Sequence, residues 1–278
     1  MPIRPQRMQQ HAEIQIPNPI FAVLEPARAT QELMTMLPAH RWLCRQPKGD
    51  GHPVITLPGY GGGNGSMALM RRYITHWGYE AHPWPLGRNM DPATTRDIDG
   101  VLEFMHRVVT TMGEQLHQIH KRTGRRASLV GWSLGGLYAR QIAARFPDLV
   151  RQVITLGSPF GDPRATILWP VMRRLIDSPE PDERDLRRWN TMARVPIEVP
   201  LSIVWSRSDG FVHPSIACPP EGAFMENIHV FSSHMGFGAN PLAYYVLADR
   251  LRQPENGWRP FERSGWRRVL FANRSAHR

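Results

Sequence analysis

The 278-residue sequence predicts a single α/β domain with a mostly parallel central sheet and helices on both of its faces. Short apolar runs typical of buried strands alternate along the chain with segments whose apolar residues recur at three- and four-residue steps, as in amphipathic helices. Apolar residues make up 41% of the chain, which is enough for a large core. We find no internal repeat or low-complexity tract in the sequence.

The individual elements are read from these runs and from the prolines that bound them. The long helix over 94–122 carries apolar residues from Ile98 to Ile119 at helical spacing. The last helix opens at Pro241 and closes before Pro254. The predicted order is helix 32–43, strand 53–57, helix 66–77, strand 80–84, helix 94–122, strand 127–130, helix 137–146, strand 153–156, strand 201–205, strand 228–231 and helix 241–252.

The most informative segment is Gly131-Trp132-Ser133-Leu134-Gly135-Gly136, which lies between a predicted strand and a predicted helix. A G-x-S-x-G segment in this context is typical of a nucleophile elbow, a tight turn that presents a serine hydroxyl. The glycines are needed because the strained turn leaves no room for side chains two residues either way. The helix N-terminus below the hydroxyl has free N–H groups that favour negative charge. Ser133 is therefore the candidate nucleophile.

A serine nucleophile needs a base and an acid, and the elbow predicts that the acid precedes the histidine along the chain. Asp209 follows the strand at 201–205, and His234 follows the strand at 228–231. In such an arrangement one imidazole nitrogen reaches the serine Oγ while the carboxylate fixes the other. Ser133, Asp209 and His234 are therefore the predicted catalytic residues.

Other acids and histidines fit these roles less well. Asp162 follows the strand at 153–156 and stays the alternative acid. His229 lies within a strand and His213 precedes the last one, so we interpret them as a sheet side chain and a loop or pocket residue. A solvated helix face, rather than a metal site, is predicted for the histidines of the long helix, which are His106, His117 and His120.

The glycine-rich loop 58–65 after the first strand is the candidate oxyanion loop. The backbone N–H groups of Tyr60 and Leu134 are the predicted donors to the oxyanion. The same loop contains Gly63-x-Gly65-x-x-Ala68, which fits a loose dinucleotide-binding pattern. The acidic residue that should complete that pattern, Glu80, does not end a second strand, and a nucleotide site would leave Ser133 unexplained.

Taken together, these segments resemble the α/β-hydrolase fold of serine esterases and lipases over residues from about 50 to about 250. The matching segments are Leu57-Pro58-Gly59-Tyr60, Gly131-Trp132-Ser133-Leu134-Gly135-Gly136, Leu156-Gly157-Ser158-Pro159-Phe160, Ser208-Asp209-Gly210 and Ser233-His234-Met235-Gly236. The resemblance implies ester hydrolysis or acyl transfer through a Ser133 acyl-enzyme, with no metal or other cofactor. Pro58 stands where a histidine is more usual, which matters little because the donor is a backbone group.

Three functions are compatible with this site. We predict a carboxylic ester hydrolase of the esterase or lipase kind. An acyltransferase would use the same three residues with an alcohol in place of water. A non-catalytic binding module on this scaffold is disfavoured because all three residues of the predicted Ser-Asp-His triad are present.

Residues 160–200 form a longer connection than ordinary loops and are predicted to be a lid or cap over the serine. Apolar residues within and near this segment predict a small-molecule ester with an apolar acyl group as substrate. The candidate substrate-binding residues are Met67, Trp169, Met172 and Met235.

Composition and charge bear on the domain organisation, the partners and the location that we predict. We divide the chain into an N-terminal extension with its leading helix (1–50), the hydrolase core (51–254) and a basic tail (255–278). Residues 258–278 of the tail supply six arginines and one glutamate to a net charge of +10, and the other arginines are scattered, so no nucleic-acid partner is predicted. No signal peptide or membrane-spanning run is recognised, and the only cysteines are Cys44 and Cys218, which predicts a cytoplasmic protein.

Overall fold

The computed structural model describes residues 14–91, 96–170, 173 and 180–271, and within them the parallel α/β sheet is confirmed. The strands pair in the order β2-β1-β3-β4-β5-β6, and each neighbouring pair is parallel. The strands are β1 Pro53–Leu57, β2 Glu80–His82, β3 Ala127–Trp132, β4 Val150–Leu156, β5 Leu201–Trp205 and β6 Met225–His229.

Helices cover both faces of this sheet. In the described part of the chain they are α1 Pro19–Cys44, α2 Ala68–His76, α3 Ile98–Thr123, α4 Leu134–Arg145, α5 Glu183–Ala193, α6 Pro214–Ala217, α7 Pro241–Leu251 and α8 Arg267–Leu270. None of them is long and apolar enough to cross a membrane.

Alternate strand residues feed two apolar cores, because successive side chains of a strand point to opposite faces. Val54 belongs to the core beneath α1, α2 and α7, where Trp77 and Tyr244 are fully buried. Ile55 belongs to the other core, where Met112 of α3 and Leu137 of α4 are buried. With both faces covered, the central strands are buried throughout.

The strand order reverses beside β1. The chain runs from β1 outward to β2 and then returns to β3 on the other side of β1. In open parallel sheets the loops at such a point diverge and leave a crevice at the carboxyl ends of the strands. The loop after β1 and the turn that holds Ser133 both lie at this crevice.

The first helix differs most from its prediction, since it begins at Pro19 rather than at residue 32. The side chain of Asn18 caps it by accepting a hydrogen bond from the N–H of Ile20 at 2.9 Å. The sequence pattern concealed its first half because Pro26 and Pro38 lie inside the helix and its apolar residues do not follow one stripe.

The edge strands also differ from their predicted bounds. β6 covers 225–229 rather than 228–231, because its pairing with β5 runs from Leu201 against Met225 to Trp205 against His229. β2 covers only 80–82, because its pairing with β1 ends where Ile55 lies beside His82.

Residues 255–271 of the predicted basic tail pack against α7. The rings of Phe261 and Phe271 are buried, and Phe271 stacks on Tyr245 with ring centroids 5.9 Å apart. The N–H of Phe261 donates to the Glu226 carboxylate at 2.6 Å. The described part of the tail is therefore an extension of the core.

At the amino-terminal edge of the sheet, the buried side chain of His52 links β1 to β3. Its Nδ1 bonds Asp50 Oδ1 at 2.6 Å, and its Nε2 bonds Ser128 Oγ at 2.7 Å. Burial disfavours the charged imidazole and the Arg151 guanidinium adds positive potential, so the pKa of His52 falls from 6.5 to about 4 despite the Asp50 carboxylate.

We expect the free energy of unfolding to fall as the pH drops from 6.5 to about 4, because in this window the unfolded chain protonates His52 and the folded protein does not. The full contribution is about 3 kcal/mol. Urea unfolding at several pH values should give a flatter profile for His52→Gln than for the wild type. His106→Gln, on the exposed face of α3, is the matched control and should keep the wild-type slope. Equal slopes for all three proteins would contradict this assignment.

Candidate active site

Ser133 occupies a strained turn between β3 and α4. Its φ is 54°, and it is the only residue other than glycine with a positive φ in the described part of the chain. The left-handed region is costly for a residue with a Cβ, so the surrounding structure must hold the turn in place. The Ser133 N–H donates to the carbonyl of Leu156 at 2.8 Å, which ties the turn to the end of β4.

Two glycines allow the chain to close around this turn. A Cβ at Gly131 would lie 2.4 Å from the carbonyl oxygen of Gly135. A Cβ at Gly135 would lie 2.3 Å from the carbonyl oxygen of Leu57, at the end of β1. Both distances are far below contact, so side chains at either position would force the nucleophile turn away from the sheet.

A continuous hydrogen-bond chain joins Ser133, His234 and Asp209. The Ser133 Oγ and His234 Nε2 are 2.9 Å apart, and His234 Nδ1 and Asp209 Oδ2 are 2.8 Å apart. The second carboxylate oxygen of Asp209 accepts the N–H groups of Phe211 and Val212, each at 2.8 Å. The structure therefore brings together the three side chains that the sequence singled out.

His234 and Asp209 are only 4% and 1% exposed, so the charges of neighbouring groups act on the imidazole with little screening. Burial opposes protonation of His234. The charge and hydrogen bond of Asp209, together with the charge of Glu25, outweigh that effect and raise the pKa of His234 above its usual value. The same interactions favour the imidazolium that forms when the histidine accepts a proton.

The alternative residues lie in other roles. Asp162 caps the turn that follows it and pairs with Arg164 at 2.7 Å. His229 ends β6 with its ring against Trp205, at a centroid distance of 5.0 Å. His213 caps α6 through a hydrogen bond from the N–H of Ser215.

Two histidines of α3 bond backbone carbonyl groups. His117 Nδ1 bonds the carbonyl of Gly113, and His120 Nδ1 bonds the carbonyl of Arg125. Across the described residues we find no cluster of acidic, histidine or cysteine side chains suited to a metal ion.

The loop after β1 lies directly against the nucleophile. A Cβ at Gly59 would lie 3.0 Å from the Cβ of Ser133, so only glycine allows this approach without displacement. Tyr60 and Leu134 both line the cavity above Ser133. Within the described chain, neither of their backbone N–H groups donates a hydrogen bond to another residue, which leaves both available to a ligand.

Asn89 holds this loop in shape, and the sequence pattern gave no sign of its role. Its side chain donates to the carbonyl of Pro58 at 2.8 Å and accepts from the Tyr138 hydroxyl at 3.0 Å. Its backbone exchanges hydrogen bonds with Gly61 and Gly62, each at 2.7 Å. Asn89 is fully buried. Because its hydrogen bonds reach Pro58 on one side of Tyr60 and Gly61 and Gly62 on the other, Asn89 fixes the backbone on both sides of Tyr60.

An apolar cavity opens above Ser133 and His234. Its apolar walls come from the start of α3, from α4, from the segment between β4 and β5 and from the loop after β5, and include Val101, Phe104, Leu168, Trp169, Trp189 and Phe211. A cavity with few polar groups at its head suits a ligand with a reactive polar centre and an apolar body.

The predicted substrate-binding residues fare differently. Trp169 lines the cavity. Met67 does not line the cavity, because its side chain is fully buried in the core beneath α2. Met235 is 43% exposed and also lies outside the cavity lining. Met172 lies outside the described residues.

A sequence model of the alpha/beta hydrolase family matches residues 37–272. The chain therefore belongs to the alpha/beta hydrolase family, as the fold and the nucleophile turn indicate. No curated protein matches the chain.

Solved structures are similar in fold. Lipase B from Aspergillus fumigatus superposes with a TM-score of 0.50 at 18% identity, covering 72% of this chain and 52% of that one. A Thermus thermophilus protein gives a TM-score of 0.52 at 16% identity, covering 73% and 88%. The Bacillus licheniformis lipase BlEst2 gives 0.50 at 15% identity, covering 75% and 95%. The chain thus spans about half the length of the Aspergillus lipase.

Proposed function

We propose that this protein is a serine hydrolase that cleaves carboxylic esters with an apolar acyl group. The observation that carries the proposal is the hydrogen-bond chain from Ser133 Oγ through His234 to Asp209, at 2.9 Å and 2.8 Å, at the head of an apolar cavity. Membership of the alpha/beta hydrolase family and the fold shared with lipases support it.

In the first half of the proposed reaction, His234 Nε2 takes the hydroxyl proton of Ser133 while Oγ attacks the ester carbonyl carbon. The carbonyl oxygen becomes an oxyanion, which the N–H groups of Tyr60 and Leu134 stabilise. The intermediate collapses as the C–O bond to the alcohol breaks, and His234 gives its proton to the leaving alkoxide. The products of this half are the free alcohol and an acyl ester on Ser133.

In the second half, His234 takes a proton from a water molecule, whose oxygen attacks the acyl carbon. Collapse of the second tetrahedral intermediate returns the proton to Ser133 Oγ and releases the carboxylic acid. Asp209 keeps its negative charge throughout and holds the Nδ1 proton of His234, so Nε2 faces the serine and is the nitrogen that accepts and returns the proton in each step.

The segment 160–200 is proposed as the cover of the acyl site. Leu168, Trp169 and Trp189 from this segment line the cavity. Trp189 Nε1 also donates to the carbonyl of Gly161 at 2.8 Å, which ties α5 back to the end of β4. A cover of this kind would exclude water and contact the hydrocarbon part of the substrate.

We expect a fluorophosphonate probe to label Ser133, and Ser133→Ala to abolish both labelling and ester turnover. His234→Ala and Asp209→Asn should each lower kcat by roughly 10³- to 10⁴-fold or more without unfolding the protein, because each removes one member of the proton relay. Mass spectrometry of the labelled peptide and kinetics on p-nitrophenyl esters are the measurements.

Asp162→Asn is the matched control for the acid, because Asp162 pairs with Arg164 and not with His234. Its activity should stay near that of the wild type. A dead Asp162→Asn variant beside an active Asp209→Asn variant would overturn the assignment of the acid.

The raised pKa of His234 predicts the pH dependence of the reaction. Only neutral His234 can accept the serine proton, so kcat/KM should fall as the pH drops, with its midpoint above 6.5. His213→Gln, in the loop after Asp209, should leave that midpoint unchanged. A midpoint well below 6.5 would show that the carboxylates do not control this imidazole.

The apolar cavity predicts that kcat/KM rises from acetate to medium-chain esters, by up to about threefold to fourfold per buried methylene, or ~0.8 kcal/mol. Trp169→Ala should reduce this gain for hexanoate more than it reduces acetate hydrolysis. Phe231→Ala, an exposed ring outside the cavity, should keep the wild-type profile, and EDTA should change none of these rates. A profile that peaks at acetate would mean that the cavity does not hold the acyl chain.

A further inference from the structure

A buried carboxylate of α1 reaches both loops that carry the acid and the base. Glu25 is fully buried, and its Oε1 accepts the N–H of Gly210 and the N–H of His234, each at 2.8 Å. Its Oε2 accepts the N–H of Met235 at 2.9 Å. One oxygen atom therefore joins the residue after Asp209 to His234 itself.

Glu32, two helical turns further along α1, supports the second of these loops. Its carboxylate accepts from the N–H of Ser233 at 2.7 Å and from the hydroxyl of Ser232 at 2.6 Å. The side-chain amide of Asn240 donates to the same carboxylate at 2.7 Å. Glu25 and Glu32 thus satisfy the backbone N–H groups of three consecutive residues, 233–235.

The two loops are shaped to accept α1. A Cβ at Gly210 would lie 2.6 Å from the backbone carbon of Phe21, and a Cβ at Gly236 would lie 2.2 Å from Glu32 Oε2. Arg28 completes the contact, since its guanidinium donates to the carbonyl and the hydroxyl of Ser208 at 2.6 and 2.8 Å. These contacts come from the part of α1 that precedes the family match at residue 37.

We propose that Glu25 is a positioning residue for the proton relay, and that α1 is in consequence a working part of the active site. This inference rests on the function proposed above. The His234–Asp209 hydrogen bond joins loops from two different strands, so its geometry depends on how far apart those loops are held. Glu25 sets that separation through N–H groups at Gly210 and His234.

The charge of Glu25 has a second effect. The charged groups about His234 include Asp209 from the loop after β5, and Glu25, Arg28 and Glu32 from α1, with Arg28 Nη1 3.8 Å from Glu25 Oε1. Removing the Glu25 charge leaves Arg28 uncompensated and should lower the pKa of His234. A residue that only stabilised the fold would not move this titration.

Glu25→Gln is the decisive variant, because it keeps the size of the side chain while placing an amide where Oε2 accepts the N–H of Met235. We expect kcat/KM to fall by about 10- to 100-fold, as for small displacements of catalytic groups. The acid limb of the pH profile should move down by roughly 0.5 to 1 pH unit. The proton on His234 Nδ1, followed by NMR, should titrate with the same shift.

Glu226→Gln is the matched control. Glu226 is another buried carboxylate with three donors, the Ser202 hydroxyl, the Arg250 guanidinium and the N–H of Phe261, and it lies at the far end of β6 from His234. This variant should lose stability without moving the His234 titration. If Glu25→Gln fails to fold, Glu25→Asp retains the charge but shortens its reach, and should lower kcat/KM while leaving the acid limb in place.

The inference is overturned if a folded Glu25→Gln or Glu25→Asp protein keeps kcat/KM within twofold of the wild type, or if the Gln variant leaves the His234 titration unmoved. The NMR measurement needs no substrate. It therefore separates this inference from the proposed ester hydrolysis, which Ser133→Ala and fluorophosphonate labelling test on their own.

Discussion

The backbone of Ser133 must be held in a left-handed conformation that its side chain disfavours by about 1–3 kcal/mol. Contacts from the surrounding structure hold the Ser133 backbone in this conformation. The start of α4 approaches both the end of β3 and the end of β1 so closely that only glycines fit at 131 and 135. The loop after β1 lies against Ser133, and Asn89 holds this loop through hydrogen bonds to its backbone. Strain at one residue is maintained by contacts from three separate parts of the chain, and the hydroxyl is exposed to the cavity as a result.

The fold contains a second hydrogen-bonded series of an aspartate, a histidine and a serine. Its difference from the series at the candidate active site shows what the residues around each series contribute. Asp50, His52 and Ser128 are joined by hydrogen bonds of 2.6 and 2.7 Å, as short as those at the candidate site. Ser128 lies inside β3, fully buried, with ordinary extended backbone. Asp50 favours the imidazolium here too, but burial of His52 and the charges of Arg151 and Arg125 outweigh its effect and lower the pKa of His52. Hydrogen bonds between these three side chains therefore only link β1 to β3. At Ser133, His234 and Asp209 the strained turn, the cavity and the free N–H groups also suit the side chains to chemistry.

Features that depend on neighbouring residues could be predicted from the sequence, whereas features that depend on distant segments could not. The nucleophile turn is local, since a strand, two glycines and a helix start lie within ten residues, and the positions of Asp209 and His234 follow from strand ends in a parallel sheet. The first half of α1 was concealed by its prolines, and Met67 looked like a pocket residue because apolar side chains of core and pocket are alike in sequence. Glu25 and Asn89 act through backbone groups of distant segments. Their partners carry no side-chain pattern that periodicity could detect.

The contacts of α1 with the two loops also have a consequence for how the protein is made. Glu25 is translated well before the N–H donors that it binds, since Gly210 and His234 are 185 and 209 positions further along the chain. Loops of that length close slowly and cannot close at all until the last strand has left the ribosome. During synthesis the serine turn can form as soon as β1, β3, β4 and α4 are in place, but the acid and the base remain unaligned. The nascent chain would therefore hold a completed serine turn before the proposed proton relay is assembled, and the proposed reactivity would begin only when α1 meets the loops after β5 and β6.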